Sequence, residues 1–102
     1  MKKNNVPDPL AKIFRVYLQV NAITNDWPAA MRIELGFPHP GERERLFRSQ
    51  LADAILRGTV SREDYEQLTG EDFDTDEQLK TWLVEVWREI YGDARIEPPS
   101  LA

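Results

Sequence analysis

The stretch from Asp74 to Gly92, DTDEQLKTWLVEVWREIYG, restricts the fold more than any other part of the chain. Its apolar residues recur at the three- and four-residue spacing that places side chains on one face of an α-helix. Asp74 or Thr75 is placed to cap the first turn, and Gly92 is placed to end the helix. We therefore expect a helix whose apolar face builds the core. That face comprises Leu79, Trp82, Leu83, Val86 and Ile90.

A second apolar flank lies beside this core face. Val84, Trp87 and Tyr91 fall to one side of it, together with Lys80. They widen the apolar arc beyond the stripe that a one-sided surface helix needs. Either the N-terminal segment and Trp27 cover this flank, or the flank is a surface for a partner. In the second case, Trp87 and Tyr91 are the aromatic anchors of an interface.

Length and composition limit the class of protein. A chain of 102 residues can bury one hydrophobic core but is too short for two. No run approaches the ~20 apolar residues of a transmembrane helix, and no signal-peptide cleavage site follows the opening MKKNN. We expect a cytoplasmic protein that does not cross a membrane. The absence of cysteine excludes disulfides, thiolate nucleophiles and most structural zinc sites.

Charge is distributed unevenly along the chain. Residues 1–62 hold ten Lys and Arg against six Asp and Glu, whereas residues 63–102 hold three against twelve. The first part therefore carries a net charge of +4 and the second part −9. Such asymmetry is typical either of two halves that pair with each other or of a surface that meets a charged partner.

Helix start and stop signals divide the middle of the chain. Residues 42–57 read as a long helix that ends at Gly58. Ser61 then opens a capping box with Asp64, and Gly70 ends the short helix that follows. Residues 26–36 have Asp26 as a potential cap and Pro28 in the first turn.

Residues 10–23 complete the set with a helical face of Leu10, Ile13, Phe14, Tyr17 and Leu18. The whole pattern predicts an all-α fold, a compact single-domain bundle of four or five helices with short loops. The alternative is an α+β fold, in which residues 13–37 form an N-terminal β-hairpin packed on three helices. Alternation favours it, because Phe14, Val16, Leu18 and Val20, and then Met31, Ile33, Leu35 and Phe37, occupy every second position.

The two ends of the chain differ from the middle. Residues 1–9, MKKNNVPDP, are polar and contain two prolines, so we expect a flexible N-terminal tail. Residues 93–102 contain two consecutive prolines and predict an extended tail on the surface, with Ile96 or Leu101 docking on the domain. The single helical domain then spans residues 10–92.

Two patterns resemble chemical sites without completing one. Asp72, Asp74 and Asp76 alternate like the first ligands of a calcium loop, but Glu77 and Leu83 stand where that loop needs glycine and a bidentate glutamate. His39 is the only histidine, and no nucleophile motif accompanies it. We therefore expect no catalytic residues, no metal site and no cofactor.

A group of arginines raises a nucleic-acid hypothesis. Arg43, Arg45 and Arg48 precede a tight turn and a short helix, in the order of a helix-turn-helix motif. Glutamates are interleaved with these arginines, however, and the second helix, REDYEQLTG, is acidic where a recognition helix must approach phosphates. Nucleic-acid binding therefore ranks below protein binding.

The sequence thus favours a non-catalytic protein–protein interaction module, such as an inhibitor or an immunity or antitoxin-like binder. Its expected surface combines the flank of Val84, Trp87, Tyr91 and Lys80 with the acidic residues Asp72, Asp74 and Asp76. Such a surface suits a partner protein with a basic surface. Two hypotheses compete with this one. The first is a helix-turn-helix-like regulator, and the second is a structural subunit of a larger assembly, including an obligate homodimer that buries Trp87 and Tyr91 between chains.

Overall fold

The computed structural model describes residues 4–98, which form five α-helices joined by short loops. The helices are α1 Leu10–Tyr17, α2 Trp27–Glu34, α3 Glu42–Arg57, α4 Arg62–Thr69 and α5 Asp76–Tyr91. No strand occurs within residues 4–98. The predicted all-α bundle is therefore confirmed, and the α+β fold with a β-hairpin over residues 13–37 is wrong.

Side-chain burial explains why the helical period prevails over the alternating one. Met31 and Leu35, one turn apart, are 0% and 3% exposed, whereas Ile33 between them is 75% exposed. Alternation would have buried all three residues on one face. In α1, Phe14 is likewise fully buried while Val16 is 50% exposed.

The first helix is shorter than its sequence pattern predicts, because it ends at Tyr17 rather than near residue 23. The backbone N–H of Val20 donates a hydrogen bond of 2.8 Å to the carbonyl of Thr69, the last residue of α4. A Cβ on Gly70 would lie 3.1 Å from Val20 Cγ2, and Gly70 has a φ of +79°. A contact between residues far apart in the sequence therefore sets the path of the chain after α1.

Local signals fix the starts of α4 and α5. The Ser61 hydroxyl accepts a hydrogen bond from the Asp64 N–H at 3.0 Å, and the Thr75 hydroxyl accepts one from the Gln78 N–H at 3.1 Å. Gln78 Oε1 in turn accepts from the Asp74 N–H at 2.9 Å. These bonds satisfy backbone donors that no helical carbonyl reaches, as the sequence predicts.

Packing joins α5 to two other helices, α3 and α2. Helix α1 packs on three, α4, α2 and α3. The core face predicted for α5 is confirmed at four positions, which are 0–4% exposed: Leu79, Leu83, Val86 and Ile90. The fifth position, Trp82, is half-buried at the edge of this face.

Residues 4–9 lie against the domain and do not trail away from it as the sequence suggests. Val6 is 7% exposed and belongs to the core. The Asn4 side chain donates to the carbonyl of Asp64 at 3.0 Å and to the side chain of Gln67 at 2.8 Å. Folded contacts therefore begin before the predicted domain boundary at residue 10.

The other end of the chain also contacts the core. Ile96 is half-buried there, so one of the two docking residues expected in the C-terminal tail does pack on the domain. Leu101 and residues 1–3 lie outside the described range, as do the corresponding parts of the two predicted tails.

Each of the five helices in residues 4–98 is too short or too polar to cross a membrane.

Candidate functional site

A surface cleft with two tryptophans in its wall lies between α2, α5 and the loop that precedes α2. Its volume is about 380 Å³. We name it the tryptophan cleft and define it by its lining residues: Ile23, Thr24, Asn25, Trp27, Pro28, Trp82, Glu85 and Glu89.

The α5 wall of this cleft follows from helical spacing. Trp82, Glu85 and Glu89 are separated by three and four residues, so they share one edge of the helix. This edge borders the core face, which leaves Trp82 half-buried and both carboxylates exposed. The helix therefore presents an indole ring next to two negative charges.

The opposite wall comes from the start of α2. Trp27 is the first residue of α2 and Pro28 follows it in the first turn. The rings of Trp27 and Trp82 are in contact, with centroids 5.8 Å apart and planes inclined by 58°. This tilted arrangement is favourable for an aromatic pair, and it fixes the start of α2 against α5.

A hydrogen bond to α4 also fixes the position of the Trp82 ring. Its indole N–H donates a hydrogen bond to the hydroxyl of Tyr65 on α4. Tyr65 is fully buried, and the loss of hydration raises the pKa of its hydroxyl above the ordinary value of a tyrosine. Tyr65 therefore stays neutral and serves as a fixed acceptor for Trp82.

The carboxylates of the cleft differ in their partners. Glu85 lies 3.6 Å from Arg88 on the same helix, and both side chains are more than half exposed. Such an exposed pair contributes little free energy. Glu89 has no hydrogen-bond or ion-pair partner within residues 4–98. At least one full negative charge at the rim therefore remains uncompensated.

The aromatic flank predicted as a binding surface is closed in the structure. Trp87 is only 1% exposed, and its indole N–H donates to the carbonyl of Ala94 at 2.8 Å. Of the two alternatives for this flank, coverage within the domain therefore applies to Trp87, and Trp87 is not exposed as an anchor. Burial within one chain also removes the reason to invoke a homodimer that covers Trp87.

Helix α3, and not the N-terminal segment, covers this flank. The Arg48 guanidinium lies over the rings of Trp87 and Tyr91, at 5.5 and 5.3 Å from their centroids. The Tyr91 hydroxyl donates to the carboxylate of Glu44 at 2.6 Å, and Glu44 is only 6% exposed. Burial and this negatively charged acceptor both raise the pKa of Tyr91. Polar side chains of α3 thus cover part of the apolar surface that Trp87 and Tyr91 form on α5.

The other two members of the predicted flank lie apart. Val84 is half-buried beside Trp87 and faces a small cleft of about 210 Å³ near Ile96. Lys80 is exposed at the other end of α5, in a groove of about 470 Å³ between α3, α4 and α5. The structure does not bring Lys80 together with Trp87 and Tyr91.

The groove that contains Lys80 has an apolar floor and a mixed rim. Leu79 and Leu83 contribute to the floor. The charged lining residues are of both signs: Arg62, Lys80, Glu63, Asp76 and Glu77. The tryptophan cleft is the better candidate, since its charge has one sign.

The acidic residues around the start of α5 are exposed, and two of them contact Arg62: Asp76 through its carboxylate and Asp74 through its backbone carbonyl. Asp76 pairs with Arg62 at 2.8 Å, and the carbonyl of Asp74 accepts from Arg62 at 2.9 Å. The hydrogen bond to Asp76 raises the pKa of Arg62. Asp72 is exposed in the same loop. Within residues 4–98, no three acidic or histidine side chains are grouped as a metal site.

The three arginines of the nucleic-acid hypothesis do not share one open face. Arg43 binds the carboxylate of Glu34 at 2.7 Å and its carbonyl at 3.1 Å. Arg48 is half-buried on the α5 rings, and Arg45 is exposed. With two of the three engaged by α2 and α5, this helix presents no row of arginines to phosphates.

Sequence reasoning missed Trp27, Glu85 and Glu89 as members of a site, and it assigned Trp82 to the core alone. One signal was present: Trp82 stands at the border of the core face, and acidic residues follow three and seven positions later. What the sequence did not contain is the position of α2, which brings the second tryptophan to this border.

Comparison of this chain with protein-family models, with curated proteins and with solved structures found no match. Its function must be inferred from the geometry of the cleft and from the charge around it.

Proposed function

We propose that this protein is a non-catalytic, cytoplasmic interaction module that binds a basic segment of another protein through the tryptophan cleft. In this role it acts as an inhibitor, in the manner of an immunity or antitoxin-like binder. The observation that supports the proposal is the contact of Trp27 with Trp82 at the surface, beside the exposed carboxylates of Glu85 and Glu89.

The tryptophan pair supports affinity. Tryptophan is enriched among the few interface residues that carry most of the binding energy. Here both rings are already positioned, because Trp82 is held by Tyr65 and Trp27 by Trp82. A preformed site loses less conformational entropy on binding than a flexible one.

The charge distribution supports the choice of a basic partner. Several ion pairs of residues 4–98 lie inside one half of the chain: Arg43–Glu34, Arg57–Asp53, Arg88–Glu85 and Arg95–Glu97. The Arg62–Asp76 pair, by contrast, joins the basic half to the acidic one. Much of the −9 charge of residues 63–102 is thus free to attract a partner over long range.

The acidic residues around the start of α5 contribute to this attraction at a distance. Asp72 and Asp74 are exposed in the preceding loop, and Asp76, the first residue of α5, shares its charge with Arg62. In the proposal these residues raise the rate of encounter with a basic protein, whereas the tryptophan cleft determines the lifetime of the complex.

Affinity capture with matched variants tests the proposal. Immobilised wild-type protein is compared with the double variant Glu85→Gln/Glu89→Gln and with a control, Glu66→Gln/Glu97→Gln. Each pair removes two exposed carboxylates, so net charge is the same and only the location differs. Captured proteins are quantified by mass spectrometry, and the leading candidate is then purified and titrated against all three proteins.

The expected result is a basic protein that the wild type and the control capture, and that the cleft variant loses. In the titration, the cleft variant should bind on the order of tenfold more weakly than the control, a difference of about 1.4 kcal/mol. If both variants weaken binding equally, only overall charge matters and the cleft is not the binding site. If neither does, the proposal is wrong.

A further inference from the structure

The geometry points to an arginine side chain of the partner protein as the group that enters the tryptophan cleft, an inference that rests on the proposed function. The cleft wall supplies the indoles of Trp27 and Trp82 and the carboxylates of Glu85 and Glu89. Both kinds of group attract cations, indoles through the negative potential of the ring face and carboxylates through full charge. None of the described lining residues carries a positive charge.

The local field favours a cation even though a helix begins here. The start of α2, at Trp27, carries about half of a positive elementary charge. Glu85 and Glu89 bring two full negative charges to the same cleft, and Arg88 shares only the first of them. The sum remains negative, with Glu89 as the carboxylate that is open to a ligand.

Ring geometry favours arginine over lysine. Because the centroids of Trp27 and Trp82 are only 5.8 Å apart, no cation fits between the rings, and the ligand must stack on an outer face. The planar guanidinium stacks on aromatic faces, whereas the ammonium of lysine is a compact and strongly hydrated charge.

The carboxylates add a second preference for arginine. Glu85 and Glu89 lie one helical turn apart, which places their Cβ atoms about 5–6 Å from each other. The five N–H donors of one guanidinium form a broad fork that can serve both carboxylates. Ile23 and Pro28 supply apolar wall for the methylene stem.

Nuclear magnetic resonance of the three indole N–H groups tests this inference. The probes are acetyl-Gly-Arg-Gly-amide, the same peptide with lysine, and the same peptide with citrulline, the neutral isostere of arginine. Trp87 is an internal reference, because it is buried on the side of α5 that packs on α3. The titrations are repeated with Glu89→Gln and with the control Glu66→Gln, both exposed positions.

The arginine peptide should shift the Trp27 and Trp82 signals in a saturable way and leave Trp87 unchanged. Its affinity should exceed that of the lysine peptide by on the order of fivefold, and the citrulline peptide should not saturate. Glu89→Gln should weaken binding of the arginine peptide, and Glu66→Gln should not. Equal affinity for arginine and lysine, equal shifts of all three indoles, or no shift at all would overturn the inference.

Failure here is distinguishable from failure of the proposed function. If partner capture depends on Glu85 and Glu89 but the arginine peptide shows no preference, the partner occupies the cleft with another group. If capture does not depend on these residues, the tryptophan cleft is not the binding site of the proposed module, whatever the peptides show.

Discussion

The hydrogen bond between Tyr91 and Glu44 offers a sharp test of how the bundle is held together. The Tyr91 hydroxyl lies 2.6 Å from the carboxylate of a residue that is only 6% exposed, a distance typical of a bond between a hydroxyl and an ionised acceptor. Hydrogen bonds to charged groups contribute about 1.5–3 kcal/mol to stability. Tyr91→Phe should therefore destabilise the protein by about that amount, since it leaves a buried carboxylate without its donor.

A double-mutant cycle isolates this bond from the packing around it. Tyr91→Phe retains the aromatic ring. The centroid of the Tyr91 ring lies 4.6 Å from that of Trp87 and 6.2 Å from that of Phe37. Glu44→Leu removes the acceptor and keeps an apolar side chain of similar size. The double variant leaves neither polar partner unsatisfied, so it should be more stable than the sum of the single effects by about 1.5–3 kcal/mol.

Urea unfolding followed by circular dichroism measures the four free energies of unfolding. For a domain of this size, a loss of about 2 kcal/mol also corresponds to a decrease in Tm of about 8–16 °C, which a thermal scan detects. A coupling energy below about 0.5 kcal/mol would refute the reasoning. In that case α3 would be held on α5 by ring packing and by Arg48, and the short hydrogen bond would contribute nothing.

Two further predictions concern the buried aromatic residues. Trp87→Ala should cost about 3–5 kcal/mol in urea unfolding, as expected for a fully buried tryptophan, while Trp27→Ala at the half-buried cleft should cost clearly less; equal costs would contradict the placement of Trp87 in the core. Burial raises the pKa of Tyr65 and Tyr91 above 10, so the unfolded chain loses these protons first as the pH rises. The stabilisation from these two groups should be complete below about pH 10 and should fall above it by up to about 1.4 kcal/mol per pH unit for each tyrosine. A urea series between about pH 9 and pH 11.5 measures this slope, which Tyr91→Phe should reduce; an unchanged slope in the variant would show that Tyr91 ionises as readily in the folded protein.

The parts of the fold that local chemistry determines were predictable from the sequence. Ser61 and Thr75 cap helices through hydrogen bonds to residues three positions later, and Gly58 and Gly70 end helices with positive φ. These signals span only a few residues, and α3 ends at Arg57, directly before Gly58, as they predict. The bounds of α1 do not, because Val20 donates to Thr69, a partner that no local pattern indicates.

The candidate site was harder to predict for the same physical reason. On the helical wheel of α5, Trp82 and Trp87 are both aromatic residues at opposite borders of one apolar face. Whether each is covered depends on its neighbour. Helix α3 brings Arg48 and Glu44 to Trp87 and Tyr91, whereas α2 brings Trp27 and Pro28 to the cleft beside Trp82 and leaves that ring half-exposed. The sequence left open whether the Trp87 border is covered and placed Trp82 in the core, whereas the packing of α2 and α3 determines the exposure of both.

The pairing of α1 with α4 and of α3 with α5 has a consequence for synthesis on the ribosome. Phe14 of α1 meets Tyr65 of α4 with ring centroids 5.2 Å apart, and the apolar face of α3 packs on α5. Neither pair is complete until the later helix has emerged, so α1 and α3 each keep part of their apolar surface uncovered until then, although they also pack on each other. Among residues 4–98, α5 is the last helix to emerge, so the core is complete only after it has done so.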